Sequence, residues 1–173
     1  MTWRVWMNPL APHDRSRRHE PAELPGTYWS SGHPGAAYTR VVVPQTVASE
    51  LNASQSPAQV RAWIAQPPTW LEILPDPPPD ETLGTLDPGE RAAISLAVSL
   101  HVSRLLIDDA DGRTEAERRS LRVTGTLGVL AAAHRGGLLD FDAAVARLSN
   151  TTFYLSLRLL ATARRLLFIT PKS

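Results

Sequence analysis

Leu105-Leu106-Ile107-Asp108-Asp109-Ala110-Asp111-Gly112-Arg113 is an apolar run that ends on three carboxylates within four residues. A short apolar run bounded by polar residues reads as a buried strand. Strands buried on both faces belong to parallel sheets, and open parallel sheets bind ligands beyond the carboxyl ends of their strands. Asp108, Asp109 and Asp111 therefore fall where an α/β protein carries its chemistry.

Upstream, Leu86-Asp87-Pro88-Gly89-Glu90 opens a helix running to about Leu100, with Ala93, Ile94, Ala97, Val98 and Leu100 as its apolar face. A helix that follows a strand starts at the carboxyl edge of the sheet, so Glu90 shares that edge with the aspartates. Carboxylates crowded on one edge repel unless a divalent cation neutralises them. Mg²⁺ takes a few carboxylates plus waters and can activate water against a phosphodiester. A purely structural reading also fits. Asp87 and Glu90, with Pro88 between them, match a capping box, and Asp109 and Asp111 could cap a following helix at Thr114 to Ser120.

Four motifs occur in order: Leu86-Asp-Pro-Gly-Glu-Arg-Ala-Ala-Ile-Ser-Leu-Ala97; Leu105-Leu-Ile-Asp-Asp109 with Gly112-Arg113; Val123-Thr-Gly-Thr-Leu-Gly-Val-Leu130; and Arg135-Gly-Gly-Leu138. In these the chain, from about residue 38 to 167, resembles the PIN-like family of small prokaryotic proteins, relatives of the PIN-domain toxins of toxin–antitoxin pairs. The resemblance implies a three-layer α/β/α domain with a central parallel sheet and Mg²⁺- or Mn²⁺-dependent ribonuclease chemistry. It carries over Glu90 as the acid of the central helix, Asp109 as the acid after the central strand, and Asp111 as a further acid two residues on. Asp108 lies beside them as an additional metal ligand. Arg113 could pair with the acids or clamp a phosphate. Thr124, Gly125 and Thr126 open a helix whose free N–H groups and hydroxyls could hold a phosphate; alternatively, glycine permits close packing there and threonine caps the helix.

Residues 1 to 36 read differently. They are crowded with Pro, Arg, His, Trp, Ser and Gly, and no apolar period survives for long beyond a short extended piece at Trp3 to Met7. The resemblance calls for a first strand ending in a metal-binding Asp, then a helix; neither is recognisable. The nearest echo is Met7-Asn8-Pro9-Leu10, with Trp6 where the acid would fall. Such a segment is what a wrong reading frame or a degenerate start would leave ahead of a regular domain at 37–170.

From Tyr38 the pattern is regular. Arg40 to Pro44 reads as a strand stopped by proline, Gln45 to Leu51 and Ala58 to Ala65 as short helices, and Trp70 to Leu74 as a strand. Glu50 and Glu72 read as isolated, solvated acids. Pro75 to Asp80 is a stiff, exposed connector. Leu121 to Thr124 is a strand, Gly125 to His134 a helix ended by Gly136-Gly137, Asp140 to Leu148 another, and Leu155 to Leu167 the last, with Leu155, Leu159, Leu160 and Ala163 inward. Leu166 to Ile169 completes the core or exposes a dimer patch.

The 173 residues suffice for one domain with a real core, and a net charge of +1 predicts only a local basic patch for any nucleic-acid partner. With no cysteine, disulfide and thiolate chemistry are excluded. No apolar run is long enough for a membrane span, and the start lacks a signal peptide's apolar core, which points to a cytoplasmic protein. A phosphoacceptor receiver domain also gathers acids at a sheet edge, but needs a late lysine in the sheet; the one lysine is Lys172. Two functions stand: a metal-dependent ribonuclease acting on RNA, with an antitoxin protein or a second copy as partner, or an inactive PIN-like remnant that keeps the fold and binds RNA or antitoxin without the first acid.

Overall fold

The structure is a computed structural model that describes residues 6–7, 40–102, 104–151, 153 and 156–167. The strands are β1 (Trp6–Met7), β2 (Val41–Pro44), β3 (Leu71–Leu74), β4 (Arg104–Leu106) and β5 (Val123–Thr124). The helices are α1 (Gln45–Asn52), α2 (Ala58–Ala65), α3 (Pro88–Leu100), α4 (Ala110–Arg118), α5 (Thr126–Arg135), α6 (Phe141–Leu148) and α7 (Leu157–Leu166), with one 3₁₀ turn at Glu81–Leu83.

The strands form one sheet in the order β3-β2-β1-β4-β5. β2 runs parallel to β3, and β4 parallel to β5. β1 is antiparallel to both of its neighbours, with Trp6 opposite Val42 and Leu105. β2 and β4 therefore point the same way, and four parallel strands flank a short antiparallel centre. The central parallel sheet expected from sequence is present in these four strands, and the short β1 is the one that runs against them. The rest of residues 1–36 lies outside the described residues, as do Leu155 and the side chains of Leu166, Phe168 and Ile169.

Val41, Val42 and Val43 are all nearly or fully buried, as a strand covered on both faces requires. Pro44 ends the strand and starts α1 without the N–H that a helix's first turn leaves unused. A large core joins β2, β4, α1 and α3 through Val43, Leu83, Ala93, Ile94, Leu105 and Ile107. A second, smaller cluster ties α5, α6 and α7 together around Phe141, Ala131 and Ala163.

Three expected helix faces or boundaries are corrected. α4 starts at Ala110, four residues before the expected Thr114, because Asp109 caps it; Asp111, Gly112 and Arg113 are thus helical. Val98 and Leu100 are exposed, since the inward stripe of α3 is carried by Glu90, Ala93, Ile94 and Ala97. In α7 Leu159 is exposed, while Ala163 is buried and Leu160 packs against the second cluster. Among the described residues no helix is long and apolar enough to cross a membrane.

Candidate metal centre

The acids named from sequence all lie at helix starts, where backbone N–H groups are unpaired and the helix dipole favours negative charge. Asp109 is the N-cap of α4. Its Oδ1 accepts from the N–H groups of Asp111 (2.9 Å) and Gly112 (3.0 Å). Its Oδ2 accepts no hydrogen bond from a described residue. Asp111, in the same first turn, is exposed to solvent.

Glu90 is 3% exposed. A buried carboxylate is stable only with compensating donors. One is the Asp87 N–H, 3.3 Å from Oε2, within the capping box that Asp87, Pro88 and Glu90 form. The other oxygen faces α4: a Cβ built on Gly112 would lie 3.3 Å from Glu90 Oε1. Gly112 thus receives Asp109 on its N–H and Glu90 against its bare Cα. The two carboxylates, 19 residues apart in the chain, meet at one glycine.

Glu50, whose sequence context reads as an isolated solvated acid, is exposed as that reading has it but is not isolated. A Cβ on Gly89 would lie 2.5 and 2.7 Å from the two Glu50 carboxylate oxygens, so the carboxylate rests on the first turn of α3, one residue from Glu90. Local sequence carried no signal for this: Glu50 sits in the last turn of α1, not its first, and only the packing of α1 against α3 brings it to Gly89.

Asp108 has another task. Its Oδ1 accepts from the Thr126 N–H (2.9 Å) and its Oδ2 from the Thr126 hydroxyl (2.6 Å). The carboxylate sits where a Cβ on Gly125 would come within 2.7 Å. At the start of α5, which the sequence offered as a phosphate cradle through Thr124, Gly125 and Thr126, the Thr126 N–H and hydroxyl are taken by the chain's own Asp108. Thr124 is buried, its hydroxyl packed against Gly128. Arg113 donates to the Ile107 carbonyl at 3.1 Å and lies beside Asp108 and Gly125, so it braces the β4–α4 junction.

Carboxylate oxygens are the donors that Mg²⁺ and Mn²⁺ prefer. Among the described residues no three His, Cys, Asp or Glu side chains converge on one point. Mg²⁺ does not require that: it is commonly held by one or two carboxylates, waters and substrate phosphate oxygens. The Glu90–Asp109 pair fits such a site in kind and number, and a side chain on Gly112 would crowd it.

A mixed sheet with helices on its faces and acids at its carboxyl edge defines an α/β domain. The family model for the PIN domain matches residues 35–167, and the chain belongs to that family. Comparison with curated proteins and with solved structures gives no match.

Proposed function

We propose that the domain is a PIN-type ribonuclease whose metal-binding pair is Glu90 and Asp109, with Glu50 as the third acid of the edge. The observation that carries this reading is the meeting of Glu90 and Asp109 at Gly112, supported by membership of the PIN family. A bound Mg²⁺ or Mn²⁺ would supply Lewis-acid stabilisation of the phosphodiester and a water of lowered pKa. The chain's own contribution is positional. Asp109 is locked by two N–H donors on one oxygen, which leaves the other without a hydrogen bond from a described residue. Glu90 is held from behind by its own helix start, and Glu50 adds negative charge one residue away. Asp111, exposed beside them, is placed to orient water at the rim. Asp108, Thr124, Gly125 and Thr126 serve the scaffold in this proposal, not the reaction.

The alternative is a PIN domain that has lost catalysis. One observation favours it: the centre of the sheet is filled by Trp6–Met7 running antiparallel, and neither residue is an acid. The two readings separate in one experiment. Single-stranded RNA is incubated with Mn²⁺ and the protein, alongside Asp109→Asn. Asn caps a helix about as well as Asp, so the variant folds. Metal-dependent cleavage abolished by Asp109→Asn supports the ribonuclease. Absence of cleavage, with Mn²⁺ binding retained and lost in the variant, supports the silent domain. Cleavage that survives in Asp109→Asn refutes the site assignment.

A further inference from the structure

A cleft of about 210 Å³ borders the start of α3, lined by Pro77, Pro78 and Pro79 of the connector, by Arg91 and Ala92 of α3, and by Glu81. The volume is below the roughly 300–1,000 Å³ of sites for drug-sized ligands and cofactors; it suits one flat ring system.

Its polar groups divide sharply. Asp76 is consumed by the N–H (3.0 Å) and hydroxyl (2.5 Å) of Thr46. Asp80 is consumed by Thr82 and by Arg119. Arg91 and Glu81 have no hydrogen bond or ion pair to a described residue from their side chains. Among the described residues the lining therefore leaves Arg91, Glu81 and the Ser95 hydroxyl open to a visitor, against a stiff apolar wall. Position adds to this. Glu90 turns toward α4, whereas Arg91, the next residue, turns into the cleft. The first turn of α3 thus borders the cleft through Pro88 and Arg91 and carries Glu90 on its other side.

We propose that this cleft is a base subsite: it takes one nucleotide of single-stranded RNA next to the one being cut, the base lying on the proline wall, Arg91 on the adjoining phosphate, and Glu81 accepting from an exocyclic amine. The identity of the polymer rests on the ribonuclease reading; the nucleotide site itself does not. Arg contacts phosphate through a planar fork of donors. A carboxylate accepts from the N4 amine of cytosine, while uracil offers a carbonyl at that position. The subsite therefore favours CMP over UMP.

The test uses the full chain, ¹⁵N-labelled, titrated with CMP and then UMP, with RNA cleavage measured separately. Saturable shifts at Arg91, Ala92 and Ser95 are expected, with CMP binding more tightly than UMP. Arg91→Gln weakens CMP about tenfold, the scale of one charge-assisted bond. Ala92→Phe, which fills the cleft from the helix side, blocks binding, and Asp109→Asn leaves it unchanged. CMP binding that is absent from the cleft, equal in Arg91→Gln, or lost in Asp109→Asn overturns the subsite. CMP held in the cleft by a protein that cuts no RNA leaves the subsite standing and removes the ribonuclease reading alone. Cleavage with an unchanged KM in both cleft variants does the reverse.

Discussion

Replacing Gly89 by alanine tests the role of Glu50 without altering any acid. The new Cβ would stand 2.5 Å from Glu50 Oε2, and ordinary contact begins near 3.4 Å, so the carboxylate must retreat by about 0.9 Å. Glu50 is exposed, and its side chain can swing into solvent at little cost. What is lost is the favourable placement of an anion at a helix start, about 0.3–1 kcal/mol. What is gained is helix propensity, at most ~1 kcal/mol for Gly→Ala. The two nearly cancel, and Gly89→Ala should unfold within a few degrees of the parent.

Gly112→Ala demands the same 0.9 Å shift, but from Ile107 Cδ1, whose side chain is fully buried. Overpacking of that kind costs about 1–3 kcal/mol, and for a chain of this length each kcal/mol moves Tm by roughly 2–4 °C. Thermal unfolding of both variants, beside Mn²⁺ titrations of Gly89→Ala and Glu50→Gln, decides the matter. Gly89→Ala should lose metal affinity as Glu50→Gln does while keeping its Tm, and Gly112→Ala should lose Tm. If Gly89→Ala matches the parent in metal affinity while Glu50→Gln does not, the carboxylate does not act from its place against α3.

Two further outcomes follow from the hydrogen bonds. Asp108→Ala strips the start of α5 of its cap and leaves Thr126 unpaired, which should cost about 1–2 kcal/mol in urea unfolding while Mn²⁺ affinity holds; a lost metal affinity would return Asp108 to the ligand set. Asp80 has its pKa lowered below the ordinary 3.8, chiefly by the Thr82 hydroxyl and N–H and then by Arg119. A depressed folded pKa contributes stability that is present above 3.8 and lost as pH falls through the lowered value. The Tm difference between the parent and Asp80→Asn should therefore shrink below pH 3.8, and a difference that grows on acidification would contradict this.

The alternation of apolar runs and proline or glycine stops made most elements legible, because local propensity and burial agree there. The valines of β2 and the Ala93–Ala97 stripe of α3 are cases where one pattern serves both. The site was legible as an edge but not as a geometry. Asp108 and Asp109 are neighbours whose side chains leave in different directions, and only the position of Thr126, 18 residues later, decides which one caps α5. Glu50 was missed because its partner, Gly89, is distant in sequence and carries no side chain to mark the contact. The antiparallel course of β1 was not legible, since two residues hold no period from which direction could be read.

That central strand also sets an order of assembly. β2 and β3 pair residues 30 apart, Val41 with Leu71, and β4 and β5 pair residues 18 apart, Leu105 with Val123. Trp6 and Leu105 are 99 residues apart. Loop closure costs more as the loop lengthens, and long-range pairing slows folding. Each half of the sheet can thus form as a local unit, and the strand that joins them arrives by the longest closure among the described strand pairs.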